Sequence, residues 1–337
     1  MDILVTGGTG LVGSHLLYNL TKSGNKVRAI RRDSSDLGSV RNLFEQLGAS
    51  AEQWDKIDWF EADILDLPRL TEAVKGMSYV YHAAALVSFL PKDKYTMYEV
   101  NVCGTENLVN ICLEHQVKKL VHVSSIAAIG RSDAKGVITE QNYWKDSKRN
   151  SNYAISKYNS ELEVWRGMEE GLDVAVVNPG VILGPYFWGM GSSVIFDKAW
   201  DEFPFYTTGE NAFVDVRDVV IAMEQLMNNS ISGERFILAA GNYCFRDVLW
   251  AMADKMGKKR AAYEAGPKLR KLAFYLDWMK ATLGLGKQSL TKETARSAGS
   301  KYAYSAAKAE EMLGIKFFTL EDMMDYSIPK YLKYKGK

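Results

Sequence analysis

Short apolar runs alternate with longer amphipathic stretches through the first half of the chain. Ile3 to Thr6, Lys26 to Ile30, Ile57 to Glu61, Tyr79 to Ala83, Leu120 to Ser124 and Val174 to Asn178 read as strands, the pattern of a parallel sheet flanked by crossover helices. Between the first two, Val12, Leu16, Leu17 and Leu20 recur with helical spacing, and Gly24 follows where a C-terminal cap falls. This is a complete βαβ unit. After Pro179 the rhythm breaks into GVILGPYFWGMGSS, rich in glycine and aromatics. A helix, a loop near Pro204, a helix from about Arg217 to Met227 and a strand at Phe236 to Ala239 follow, with mostly helical sequence from Arg246 onward.

Composition narrows the class. A chain of 337 residues, 47% apolar and 25% charged, buries a sizeable core. Lys+Arg 42 against Asp+Glu 41 gives a net charge of +1, so no global field draws the protein to nucleic acid. Cys103, Cys112 and Cys244 form neither a disulfide framework nor a metal-ligand spacing. The opening MDILVTGG leaves no room for a signal peptide, and no apolar run approaches the ~20 residues of a bilayer span. A cytoplasmic protein without integral membrane association and without a metal is expected.

TGGTGLVG places Gly7, Gly10 and Gly13 at i, i+3 and i+6 between the first strand and the first helix. Such glycines permit a tight turn, let backbone N–H groups of Leu11, Val12 and Gly13 approach a pyrophosphate, and bring helix against sheet. The expected fold is therefore α/β, a Rossmann-type doubly wound parallel sheet with a smaller, mostly helical C-terminal lobe. Residues 1–180, with 213–240 returning to them, make the dinucleotide-binding domain; 181–212 and 241–337 make the substrate lobe. The second strand ends VRAIRRD, with Arg31 and Arg32 where a ribose-binding acid is expected, which favours NADP(H) over NAD(H). The bland alternative is a solvated surface turn. Asp63, with the Ile64 backbone, either meets the adenine or caps the helix near Pro68.

A tyrosine four residues before a lysine shares a helix face with it, so the ammonium can favour the phenolate. The chain carries this spacing five times, starting at Tyr18, Tyr153, Tyr304, Tyr326 and Tyr331. Only Tyr153 and Lys157 lie between two sheet segments, HVSSIAAIG and VVNPG, whose C-terminal ends would face a cofactor. Ser124 and Ser125 end the first of these strands.

Together TGGTGLVG, ADILD, YHAAA, NVCGTENL, VSSIAAIG, YAISK, NPGVILGP and FVDVRDV resemble, in order and spacing over about residues 1 to 240, the extended short-chain dehydrogenase/reductases, or NAD(P)-dependent epimerase/dehydratase family. The C-terminal YSAAKAEEMLGIKFFTLEDMM is similar to the dihydroflavonol-reductase and hydroxysteroid-dehydrogenase branch. The resemblance implies Tyr153 as general acid/base, Lys157 as its electrostatic partner and ribose ligand, and Ser125 as the substrate-oxygen ligand, with Ser124 second in line. Asn101 is implied on the active-site side of its helix, with helix capping as the alternative. Thr6, Ala83, Ala84, Ala85, Ser124 and the turn Pro179, Gly180, Val181 and Ile182 are implied around the cofactor. His82 reads as a strand-end histidine with satisfied hydrogen bonds.

Nucleotide-sugar members of the family carry an arginine just before the segment AFVDVRD. Here Asn211 and Ala212 stand there. Val87, Phe89, Ile126, Tyr186, Phe187 and Trp188 are the candidate pocket residues, suited to a neutral or aromatic carbonyl or alcohol; the alternative is that the rings pack the junction between lobes. The implied activity is reduction of a ketone or aldehyde, or oxidation of a secondary alcohol, by hydride transfer. An epimerase or dehydratase and a non-catalytic cofactor sensor or scaffold are the alternatives. A homodimer through helices near Asn101 to Glu114 and Tyr153 to Met168 is expected by analogy. PKLRKLAFYLDWMKATLG aligns Leu269, Leu272, Ala273, Leu276, Met279 and Leu283 on one face behind a basic turn, to pack over the cleft or else to lie on a membrane surface.

Overall fold

A computed structural model describes residues 2–130, 136–148, 150–282, 285 and 290–336. The chain begins with β1 (Ile3–Thr6), α1 (Leu11–Lys22), β2 (Val27–Arg31), α2 (Leu37–Gln46), α3 (Ala51–Trp54), β3 (Ile57–Glu61), α4 (Leu67–Val74) and β4 (Tyr79–His82). It continues through α5 (Lys94–Tyr98), a π-helical turn at Glu99–Cys103, α6 (Gly104–Glu114), β5 (Lys119–Val123), α7 (Asn152–Glu169) and β6 (Val174–Pro179). These strands, joined later by β10 (Glu234–Leu238), form one parallel sheet in the order β10-β6-β5-β4-β1-β2-β3. The order reverses between β1 and β4. At such a reversal the outgoing helices leave to opposite sides and open a crevice at the strands' C-terminal ends.

Period-two alternation divides the apolar residues between two cores. Val5, Val121 and Val177 face one side with Leu16, Phe44 and Leu226. Leu4, Leu120 and Val176 face the other with Leu108, Val164 and Leu172. Both faces are covered, so these strands read as apolar runs in the sequence.

Beyond β6 the chain continues through β7 (Val181–Leu183), α8 (Val194–Trp200), β8 (Phe205–Tyr206), β9 (Glu210–Asp215), α9 (Val216–Asn228), β11 (Gly241–Cys244), α10 (Phe245–Lys255) and β12 (Tyr263–Glu264). Then come α11 (Pro267–Thr282), α12 (Lys292–Ser297), α13 (Ala307–Leu313) and α14 (Leu320–Tyr334). A three-stranded sheet, β11-β9-β7, lies where the sequence pattern showed little sheet. Two of its strands, β7 and β11, have only three and four residues and display little period. Phe213 to Asp215 pair within this small sheet, and the return to the large sheet is made by α9 and β10.

The predicted strand ends shift by one or two residues, with a functional consequence. β4 stops at His82 and β5 at Val123, so Ala83 and Ser124 begin the loops over the crevice.

Candidate active site

The turn after β1 is shaped by steric demand. Gly7 has φ of +70°, and a Cβ there would lie 2.6 Å from the Ala83 carbonyl and the Ala84 nitrogen. A Cβ on Gly13 would sit 2.1 Å from the Gly7 oxygen. Neither position accepts a side chain. Gly10 donates to the Gly7 carbonyl over 3.0 Å and precedes α1 without a side-chain cap. The N–H groups of Leu11, Val12 and Gly13 therefore begin a helix with no intrahelical acceptors and can receive an anion.

The tether behind this turn is polar and fully buried. Thr6 Oγ1 is 2.7 Å from His82 Nδ1, and His82 Nε2 is 2.9 Å from Thr105 Oγ1. Thr105 in turn donates to the Asn101 carbonyl over 2.6 Å. Burial pushes the His82 pKa down to about 3, so the imidazole is neutral and structural. The Ala84 N–H donates to Thr6 Oγ1 over 3.2 Å, fixing the loop after β4 to the glycine turn.

A concavity beyond β2 and β3 is lined by Arg32, Asp33, Ser34, Glu61, Ala62, Asp63, Asp66 and Arg69. Arg31 turns aside, its Nη2 3.6 Å from Glu61 Oε2. Of the two adjacent arginines, Arg32 lines the cavity, as does Arg69 from α4. Asp66, accepting from the Arg69 N–H, caps α4; Asp63 Oδ1 instead accepts from the Leu65 N–H over 2.9 Å. The Ile64 side chain packs against Gly104, and its carbonyl accepts from Asn107 Nδ2 over 3.2 Å.

Ser125 and Tyr153 meet across the crevice. The Ser125 hydroxyl, whose oxygen accepts from the Ala127 N–H over 3.1 Å, lies near enough to the phenol to draw its pKa down, while burial, the larger influence, raises it. Ser151 caps α7 by accepting from the Ala154 N–H, which sets Tyr153 in the first turn. Lys157 follows one turn later, its Nζ donating to the Val123 carbonyl over 2.9 Å. Burial pulls the Lys157 pKa down to about 8, and the Glu161 carboxylate opposes that shift.

Glu161 escaped the sequence reading, although it stands four residues after Lys157 on the same helix face. It accepts from Ser124 Oγ at 2.6 Å, Asn178 Nδ2 at 2.8 Å, Arg235 Nη1 at 3.1 Å and Trp165 Nε1 at 3.3 Å. Ser124 is thus turned inward, away from the phenol. Asn178 also donates to the Ser125 carbonyl over 3.0 Å, so one buried carboxylate braces the ends of β5 and β6.

Asn101 lies in the π-helical turn, a distortion frequent at functional sites. Its amide accepts from the Leu86 N–H at 2.7 Å and donates to the Leu86 carbonyl at 2.9 Å and to Ser156 Oγ at 3.0 Å. It therefore holds the loop after β4 against α7. Ala85 lies on that loop, between the tethered Ala84 and Leu86. On the other flank, a Cβ on Gly180 would meet the Ala212 carbonyl at 2.6 Å, packing the Pro179 turn tightly onto β9, while Val181 and Ile182 pair with Phe213 and Val214.

The candidate pocket residues divide. Phe89 stands 5.7 Å from the Tyr153 ring, edge to face, and Val87 beside it is exposed. Ile126 is buried with Ile129, Ile138 and Ala212. Tyr186 and Phe187 are buried in the core of the large sheet, and Trp188 stacks edgewise on Phe196 at 5.2 Å and Tyr331 at 4.9 Å. Those three rings are thus engaged in packed apolar clusters, as large aromatics commonly are.

Comparison with known proteins identifies the family. The protein is 30% identical over 273 residues to sterol demethylase protein B of Methylococcus capsulatus, covering 80% of this chain and 79% of that one. It is 30% identical over 247 residues to cinnamoyl-CoA reductase 1 of Petunia hybrida, covering 70% and 72% of the two chains. The crystal structure of gox2253 superposes with a TM-score of 0.81 at 28% identity over 99% of both chains. The profile of the NAD-dependent epimerase/dehydratase family matches residues 3–239, and the chain belongs to that family, the extended short-chain dehydrogenase/reductase group of NAD(P)-dependent oxidoreductases.

Proposed function

We propose that the protein is an NADP(H)-dependent reductase of a small, neutral, apolar or aromatic carbonyl compound, or the corresponding alcohol dehydrogenase. The pairing of the Ser125 hydroxyl with the Tyr153 phenol, one helical turn from Lys157, carries this reading. The glycine turn suits the cofactor pyrophosphate, because Gly7 and Gly13 let the turn close tightly on the loop after β4 and on itself, and the start of α1 offers free donors. Arg32 and Ser34 in the concavity beyond β2 suit a 2′-phosphate, which favours NADP(H) over NAD(H). When bound, the nicotinamide supplies or accepts the hydride.

The protein's own residues handle the proton. Ser125 and Tyr153 hydrogen-bond the substrate oxygen, and burial keeps the phenol protonated at neutral pH, ready to donate as negative charge develops on that oxygen. The Lys157 ammonium then favours the phenolate left behind. Donors already aimed at the developing charge act in the transition state more than in the ground state.

Phe89 and Val87 at the mouth, and the absence of a basic residue at Asn211 or Ala212, support an uncharged substrate. The sterol-related relative bears a name consistent with that class, whereas the name cinnamoyl-CoA reductase specifies an aromatic acyl group on a charged coenzyme A carrier. Titration with NADPH and NADH, followed by a panel of ketones and aldehydes, tests the proposal. Stoichiometric NADPH consumption is expected. A sugar-nucleotide substrate converted with no net change in NADPH absorbance would replace this reading with the epimerase one.

A further inference from the structure

Helix α11 is oriented opposite to an ordinary surface helix. Among its described residues none is buried. Successive residues turn by about 100°, and the side that meets the protein carries the polar anchors. The Arg270 guanidinium lies over Gly299, the Asp277 carboxylate accepts from the Leu290 N–H at 2.8 Å, and Phe274 lies under the Lys292 ammonium at 5.9 Å. The apolar residues face the other way. Leu269, Leu272, Tyr275, Leu276, Trp278 and Met279 are each 37–54% exposed. The expectation that the leucine face packs over the cleft therefore fails: that face points to solvent. Leu283 lies outside the described residues.

The charges on the helix identify what covers it. Lys268, Lys271 and Lys280 flank the apolar face, and Asp277, the one acid in the helix, is engaged on the inner side. In a two-fold contact between copies, this face would meet its own image, setting lysines against lysines with no carboxylate on the helix to pair them. Lysines interleaved with leucines, a tyrosine and a tryptophan match instead the headgroup boundary of an anionic bilayer, where apolar side chains enter the acyl region and ammonium groups meet phosphates. No helix among the described residues is long and apolar enough to cross a membrane, so the contact is a surface one. We propose that α11 docks the protein on anionic lipid membranes.

The dock adjoins the candidate site. α12, on which α11 rests, carries the half-buried Glu293, whose carboxylate lies beside the Asn152 backbone at the start of α7, next to Tyr153.

Flotation of the full chain with vesicles tests the proposal without recourse to activity. Phosphatidylcholine–phosphatidylglycerol vesicles should carry the protein up the gradient, with phosphatidylcholine alone carrying about tenfold less. Leu272→Glu with Leu276→Glu should abolish flotation, Lys268→Glu with Lys271→Glu should weaken it, and added salt should do the same. Trp278 emission, isolated by difference from Trp278→Phe, should shift to the blue on binding. Circular dichroism should find both double variants folded, since the altered side chains are exposed. Absence of flotation, or flotation that survives the leucine substitutions, overturns the proposal. So does a dimer that the leucine substitutions dissociate in the absence of vesicle binding, which would assign the face to a second copy.

Discussion

The Ser124 hydroxyl donates to the buried Glu161 carboxylate over 2.6 Å, while the adjacent Ser125 hydroxyl faces the Tyr153 phenol. Two consecutive serines at a strand end thus have separate tasks. Ser125→Ala should lower turnover by roughly 10²–10³-fold with the melting temperature nearly unchanged, since it removes one donor aimed at the reacting oxygen. Ser124→Ala should instead lower the melting temperature, leaving Glu161 short of a partner. Steady-state kinetics and thermal melts of both variants check the assignment; equal kinetic losses would refute it.

Tyr153→Phe should cost roughly 10²–10⁴-fold in turnover, the usual scale for general acid catalysis. Cofactor affinity, read by fluorescence titration, should change little. Turnover that survives the substitution would remove Tyr153 from the proton-donating role.

Glu161 opposes the fall in the Lys157 pKa, which burial holds near about 8. Neutralising it in Glu161→Gln lets burial act with less opposition, so the Lys157 pKa falls further and the ammonium is lost at lower pH. The alkaline limb of the turnover profile should move toward neutrality in Glu161→Gln. Restoring the carboxylate with Glu161→Asp should bring part of the limb back. A loss of activity with no displacement of the limb would mean that Glu161 is only a brace.

Arg32 lines the concavity whereas Arg31 pairs with Glu61. Arg32→Ala should weaken NADPH binding about tenfold or more, as expected for one lost charge-assisted contact, and leave NADH binding nearly unchanged. Equal effects on both cofactors would place the 2′-phosphate elsewhere.

Three buried histidines make the fold acid-sensitive. Burial lowers His15 to about 4 and His82 to about 3, and puts His122 well below its ordinary value of 6.5. Between those folded values and 6.5 the unfolded chain binds more protons than the native one, so stability is retained at neutral pH and falls as pH drops below 6.5. Each histidine contributes a slope of up to about 1.4 kcal/mol per pH unit. Denaturant melts at descending pH should record a steepening loss below pH 6.5, and His122→Leu should flatten it. A flat dependence across that interval would contradict the neutral assignment.

Periodicity exposed the seven-stranded sheet because both its faces are covered, which makes each strand an apolar run. The small sheet stayed hidden because β7 and β11 have three and four residues and find their partners far along the chain. The five Tyr–Lys spacings show how far local pattern reaches. In the copies at Tyr18, Tyr326 and Tyr331 the ammonium simply lies over its own tyrosine ring, at 5.6, 3.9 and 5.4 Å. Position between β5 and β6 distinguished Tyr153, and that was legible. Glu161 was not, because its importance depends on Ser124, Asn178 and Arg235, which come from other segments. The rings from Tyr186 to Trp188 were ambiguous for a related reason: composition describes a ring's surface but not its neighbours.

The loop after β4 is anchored at both ends and through its middle. Ala83 and Ala84 donate to Thr6, Leu86 is held through both its N–H and its carbonyl by Asn101, and Ser88 donates to Asp93 over 2.6 Å. Val87 and Phe89 alternate with these fixed points and project from a main chain they do not help to support. Their side chains can be exchanged like the teeth of a key whose blade stays the same, so under the proposed function substrate preference can diverge at 87 and 89 while the glycine turn keeps its shape.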